Sequence, residues 1–191
     1  MAESPTLARP TGIDPNTYRD VLARFVTGVT VVTTLENPDG ERQPWGTTVN
    51  SFTGISLEPP LVMVSIGRER SIHPIIERTA RFAVNILGET SQALSDCFAG
   101  APSTLPREAF CNAEYALGTC GLPILGEAIA YVGCQVDQRI EAGDHTIYLG
   151  RVVEAGTRDE SGWPLLYFRR RYLRIERAEP AEMRGKPDKL R

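Results

Sequence analysis

Between Ala128 and Gly156 the sequence reads AIAYVGCQVDQRIEAGDHTIYLGRVVEAG, two long alternating runs joined at EAGD. Alternation of this length fits a pleated strand with unlike faces, and the Gly143-Asp144 pair supplies the turn residues between its two arms. A long antiparallel ribbon must be matched by further strands, and the first half offers them. VTVVTTL from Val29 is β-branched at almost every position, ENPDGERQP supplies turn residues, and a second extended run opens at Trp45, which reads as a hairpin. LVMVSIG follows directly on Pro59-Pro60, whose missing donors forbid a continuous ladder and put a sharp break between neighbouring strands. RFAVNIL reads as a strand buried on both faces, and PLLYFRRRYLRI as a final strand or hairpin.

Helical signals are few. Asp14 before Pro15 starts a short helix whose Tyr18, Val21, Leu22 and Phe25 recur at the spacing of one buried face, ending near Gly28. Ser71 is expected to cap a helix IHPIIERT, and SQALSDCFAG to begin another at Ser91; a Pro-rich stretch 101–106 leads into a less regular region. Six or seven strands, a few short helices and no βαβ rhythm predict a mainly β fold, an antiparallel barrel with helical additions, and exclude a doubly wound sheet. No G-x-G-x-x-G is present, so any nucleotide must be held in another way.

At 191 residues the chain is long enough for one domain with a full core. Residues 1–13 read as an N-terminal extension, 14–178 as the domain and 179–191 as a polar tail. The formal net charge of -3 gives no electrostatic reason to seek nucleic acid or an anionic membrane. No stretch approaches a membrane span, and MAESPTLARPTGIDP lacks both a basic start and an apolar core, so a cytoplasmic location is expected. The four cysteines, Cys97, Cys111, Cys120 and Cys134, form no C-x-x-C pair and are expected to be buried and reduced rather than metal ligands. The only lysines, Lys186 and Lys189, lie in the tail, which removes a P-loop or a Schiff-base lysine from the body. Two histidines, His73 and His145, leave little room for a histidine metal centre, and no G-x-S-x-G turn supports a serine hydrolase. A bound phosphate would need hydroxyls, backbone amides and arginines.

GTTVNSFTGISL, Gly46 to Leu57, crowds Thr47, Thr48, Ser51, Thr53 and Ser56 around Asn50. A solvent-facing, threonine-rich edge strand is one reading. The other is a binding wall for a ligand with phosphate and heterocyclic edges, which Gly46 and Gly54 would let approach the backbone.

RFVTGVTVVTT, GTTVNSFTGISLEPPLVMVSIGRERS, RFAVNIL, GDHTIYLGRV and PLLYFRRRY occur in the order and spacing of a known family. From about Asp14 to Ile175 the chain resembles the flavin reductases of the FMN-binding split-barrel type, the reductase components of two-component flavin-dependent monooxygenases. The resemblance implies a homodimeric, six-stranded Greek-key split barrel. It implies an NAD(P)H:flavin oxidoreductase that binds FMN or FAD, accepts hydride from NADH or NADPH and passes reduced flavin by diffusion to a partner monooxygenase. By position, Thr48, Val49, Asn50 and Ser51 would line the flavin, Ser65, Ile66 and Gly67 would complete the pocket wall, and Arg70 with Ser71 would take the flavin phosphate at a helix start. His145 in the GDH block would lie over the flavin near the nicotinamide and act in catalysis by orienting it, while Asp144 shapes the turn. Alone, His145 would read as a histidine exposed at a strand end.

Arg169 and Tyr172 match family positions of the nicotinamide site, whereas Arg170 and Arg171 replace a lighter family pattern. Their charge would meet a 2′-phosphate and favour NADPH, or simply form a solvated face. His73 is either at the edge of the phosphate site or a solvated helix residue, and Trp45 either packs on the flavin or fills the barrel end. A flavin-holding protein or oxidase without nicotinamide turnover is the competing function.

Overall fold

The computed structural model describes residues 12–37, 39 and 41–176. The tail and almost all of the N-terminal extension lie outside the described residues. Helix α1 (Pro15–Leu22) starts as expected, with Asp14 Oδ2 accepting the Thr17 amide at 2.9 Å. Strands β1 (Thr27–Gly28), β2 (Thr30–Glu36), β3 (Gln43–Val49), β4 (Thr53–Leu57) and β5 (Pro60–Gly67) lead to α2 (His73–Thr79) and β6 (Arg81–Leu87). After α3 (Gln92–Ala99) and a 3₁₀ segment (Arg107–Asn112) come the short pair β7 (Tyr115–Leu117) and β8 (Pro123–Leu125). The long ribbon β9 (Ala128–Ala142) and β10 (His145–Thr157) follows, then the hairpin β11 (Leu166–Phe168) and β12 (Arg171–Leu173).

The principal sheet is antiparallel, in the order β3-β2-β6-β9-β10-β5-β4. It has seven strands where six were expected for the barrel, because the chain breaks at 50–52 and again before Pro60, leaving β4 as a strand of its own. Its two edge strands, β3 and β4, are consecutive in sequence, so residues 50–52 carry the chain from one edge of the sheet to the other. No ladder joins those edges. Side chains bridge the gap instead: Ser51 Oγ donates to the Ser65 carbonyl at 3.0 Å and accepts the Ser65 amide at 2.9 Å. The barrel is therefore split where β3 ends beside β5.

Two cores sit on opposite faces of β2 and β6. Val32, Val84, Phe82, Val64, Ile66 and Tyr148 fill the barrel interior, with Ile72 and Ile76 of α2 closing it. Val31, Leu87 and Val29 pack outward against Leu94, Cys97 and Phe98 of α3. Burial on both faces explains why RFAVNIL lacks alternation. It also leaves threonines inside, and their protons go to carbonyls: Thr33 to Pro123 at 2.6 Å and Thr34 to Arg81 at 2.8 Å.

Three expectations are corrected. The apolar stripe of α1 is not buried: Tyr18, Val21, Leu22 and Phe25 are all exposed, Phe25 by 74%, and no residue of Pro15–Leu22 is buried against the body. Ser71 does not cap α2; a turn carried by Arg70 N to Gly67 O and His73 N to Arg70 O comes first, and Ile72 occupies the cap without a side-chain bond. Cys97 and Cys111 are not reduced but joined in a disulfide, since the 3₁₀ segment folds back on α3 and brings their Cα atoms to 6.0 Å. Cys120 and Cys134 are free thiols, as expected.

Candidate functional site

The split in the barrel opens as a cleft of about 240 Å³ walled by the end of β3, the end of β5 and the start of β10. Strand register builds it. His145 pairs with Gly67, Thr146 with Ile66 and Ile147 with Ser65, which sets the start of β10 beside the end of β5; His145 lines the cleft and Thr146, next to it, is buried. From β3 and the link after it come Thr48, Val49, Asn50 and Ser51; from β5, Ser65, Ile66 and Gly67; from the following turn, Arg70. Nine of the twelve residues expected from the sequence thus line one cleft.

Two of the hydroxyls there are not free donors. Thr48 Oγ1 gives its proton to the Ser95 carbonyl of α3 at 2.7 Å, and Ser51 is occupied with Ser65. They hold the walls in place and retain only lone pairs toward a ligand. Besides the hydroxyls of Thr47 and Ser65, two nitrogen donor groups line the cleft. The Asn50 side-chain amide is exposed and makes no bond among the described residues. Arg70 donates one N–H to the Ala99 carbonyl at 3.0 Å and contacts Glu69 at 3.4 Å, leaving other guanidinium N–H groups for an anion.

His145 is about half exposed, and its Nδ1 lies 2.7 Å from Asp144 Oδ1. The hydrogen bond from His145 holds the Asp144 carboxyl below its ordinary range, so it is an acceptor at neutral pH and keeps the imidazole proton on Nδ1. In that tautomer Nε2 is the ring's acceptor nitrogen. Asp144 does more than shape the turn: it fixes the tautomer of the histidine on the cleft wall.

The other expected residues lie elsewhere. Ser71 faces a separate cleft with Trp45, Phe98 and Arg107, and Trp45 packs against the interior core, its buried indole N–H without a partner. His73 turns away from the site, with Nε2 2.9 Å from Thr146 Oγ1 and its ring 6.0 Å from that of Tyr148. Tyr172 borders an adjoining cleft of about 300 Å³ that shares Thr48, Val49 and Asn50 with the first. Its hydroxyl donates to Asp96 at 2.7 Å and lies 3.0 Å from Ser95 Oγ; burial first, and Asp96 second, push it up to about 12 despite the opposing Ser95 bond. Arg169 is outside both, in the turn between β11 and β12, its guanidinium carbon 5.3 Å from the Phe168 ring centroid. Sequence reasoning placed α3 but missed its role at the site: Ser95, Asp96 and Ala99 supply the groups that hold Thr48, Tyr172 and Arg70, and nothing in SQALSDCFAG signals that use.

Apolar Val49, a free amide, a guanidinium and an imidazole acceptor around one slot suit a flat heteroaromatic ring carrying an anionic arm, which is the chemistry of a flavin nucleotide. Known proteins agree. Residues 22–176 match the flavin reductase like domain, and the chain belongs to that family. It is 38% identical over 162 residues to the NADH-dependent flavin reductase StyB of Pseudomonas fluorescens, covering 84% of this chain and 89% of that one. A probable flavin reductase of Rhizobium meliloti is 39% identical over 139 residues, 73% of this chain, but is longer, and the match spans 42% of it.

Among solved structures, the Streptomyces globisporus NADH:FAD oxidoreductase SgcE6 in complex with NAD and FAD fragments superposes with a TM-score of 0.75 at 32% identity, covering 90% of this chain and 98% of that one. The styrene monooxygenase flavin reductase SMOB of Pseudomonas putida does so with a TM-score of 0.73 at 34% identity, covering 85% and 99%. The fold is the split barrel of these reductases.

Proposed function

We propose that the protein is an NAD(P)H:flavin oxidoreductase that binds FMN or FAD in the split of the barrel and hands reduced flavin to a separate monooxygenase. The observation that carries this reading is the convergence of Asn50, Arg70 and His145, from three distant segments, on one cleft of a chain in the flavin reductase family. A flavin bound there would supply the hydride-accepting ring. The protein's part is positional. Arg70 binds the anionic arm, Asn50 meets a polar ring edge, and His145, with its proton held on Nδ1 by Asp144, accepts through Nε2 from the carboxamide of the nicotinamide and so orients it. The partner is inferred from SMOB, whose name ties it to styrene monooxygenase. A cytoplasmic setting, where nicotinamide nucleotides are abundant, fits this activity; no described helix is long and apolar enough to cross a membrane.

The working unit is a homodimer. Its support is the exposed stripe of Tyr18, Val21, Leu22 and Phe25, which a second copy of the chain would cover. Light scattering is expected to give about twice the 21.0 kDa chain mass, and Phe25→Glu to shift it to one; a monomeric wild type would refute the assignment.

The activity is tested by following NADH and NADPH oxidation with and without added FMN or FAD. Oxidation that saturates with free flavin is expected. A protein that retains flavin yet oxidises neither nucleotide would overturn the reading.

A further inference from the structure

The turn between β11 and β12 is built at a conformational cost. Arg169 and Arg170 both have positive φ, 49° and 61°, a region that glycine enters freely and side chains with a Cβ rarely do. Two consecutive arginines in that state bring their guanidinium groups to one rim. There they meet Arg24, at the C-terminal end of α1, and the three line an open cleft of about 350 Å³. Asp20 is the only acidic residue in its lining, and it pairs with Arg170 at 2.8 Å. Arg169 stacks near Phe168 and Arg24 has no counter-charge in the cleft, so the cleft keeps a positive excess. Placement is fixed by backbone, since Arg169 N donates to the Ala23 carbonyl at 2.8 Å.

Position gives this charge a meaning. Arg170 also lines the cleft that contains Thr48, Val49 and Asn50, and those three are shared in turn with the cleft of His145 and Arg70. Three contiguous clefts therefore run from His145 to the arginines. The face of α1 that closes the far end, Asp20, Ala23 and Arg24, is opposite its apolar stripe, so covering that stripe would leave the arginine cleft open.

We infer that Arg24, Arg169 and Arg170 form a subsite for the distal phosphate of a dinucleotide whose reactive ring lies at His145. The inference rests on the reductase reading, and it extends that reading to specificity. Positive φ at both central residues is what the two-residue hairpin turn between Phe168 and Arg171 requires; arginines stand there in place of the residues that enter this region most easily, and guanidinium forks match phosphate oxygens in pairs. The phosphate could come from the 2′-phosphate of NADPH or from a nucleotide pyrophosphate. Arg171, which lines none of these clefts, plays no part, and the 2′-phosphate role suggested by the sequence for Arg170 and Arg171 together passes to Arg170 with Arg24 and Arg169.

Equilibrium binding tests this without turnover. Adenosine 2′,5′-bisphosphate, ADP and adenosine are titrated calorimetrically into the wild-type protein, Arg24→Gln/Arg169→Gln, and Asp20→Asn. Wild type is expected to bind at least one phosphorylated probe and not adenosine. The double variant should bind it about tenfold or more weakly, and Asp20→Asn more tightly. Preference for the bisphosphate assigns the 2′-phosphate; preference for ADP assigns the pyrophosphate. Binding unchanged in the double variant, or no binding of either probe at millimolar concentration, overturns the inference. Failure of nucleotide oxidation would instead remove the reductase reading, and the titration would still decide whether the arginines hold phosphate.

Discussion

At the scale of single residues, the informative finding is how the polar groups divide between holding and binding. Thr48 and Ser51 look in the sequence like ligands, yet their protons are given to the Ser95 and Ser65 carbonyls. Composition could reveal that hydroxyls were there but not which way they would donate, because that depends on carbonyls 47 and 14 residues away. The Asp144 and His145 pair is the reverse case: adjacency was legible and its consequence was not. Asp144→Asn should weaken tautomer control, raising KM for the nicotinamide nucleotide about fivefold while kcat changes less, as befits loss of about 1 kcal/mol of orientation. Equal losses in kcat and kcat/KM would show that the pair acts in the reaction step instead.

Glu154 on β10 gives a pH prediction. Burial alone would raise its carboxyl, but the amides of Thr119 and Cys120, at 2.9 and 2.8 Å, and the Cys120 thiol outweigh that and hold it at about 2, against an ordinary 4.5. A depressed carboxylate adds stability that is complete above about pH 5 and is lost as pH falls toward 2. Glu154→Gln should lower stability at pH 7 by about 1–2 kcal/mol, a figure reduced for solvent screening, and flatten the decline between pH 5 and 3 in urea titrations. Parallel pH profiles for the two proteins would show that Glu154 is not held ionised by the fold.

At the scale of elements, β structure was read well and helix context poorly. The hairpin of β2 and β3 and the long β9–β10 ribbon follow from β-branched runs and turn residues, which are local signals. The face α1 would bury was misread, since periodicity shows that a helix has an apolar stripe and not whether its own chain covers it. The disulfide was invisible for a similar reason. Cys97 and Cys111 stand 14 residues apart with no motif between them, and only the return of the 3₁₀ segment onto α3 unites them. Closing a loop of that length should contribute about 3 kcal/mol. A Cys97→Ser/Cys111→Ser protein is therefore expected to unfold at lower denaturant, and to bind flavin less well, because α3 supplies the carbonyls that seat Thr48 and Arg70. An unchanged midpoint would mean that packing of Leu94 and Phe98 alone secures the helix. The two other thiols, raised to about 11 at Cys120 and about 12 at Cys134 by burial before any neighbouring charge, should stay inert to thiol reagents in the folded protein.

At the scale of the whole molecule, the site exists because the barrel does not close by hydrogen bonding. Consecutive strands β3 and β4 occupy opposite edges of one sheet, the link between them crosses the gap, and the gap leaves a cleft between backbone ends. Arg70 and Ser71 are neighbours in sequence, but the turn before α2 sends them to different clefts, so only one of the pair should meet the flavin. The measurement that bears most directly on this is the KM for FMN of Arg70→Gln beside that of Ser71→Ala. A rise of about tenfold for Arg70→Gln at little change in kcat, with Ser71→Ala near wild type, is the expected result. The opposite pattern, with Ser71 and not Arg70 governing flavin affinity, would contradict placement of the flavin in the split of the barrel.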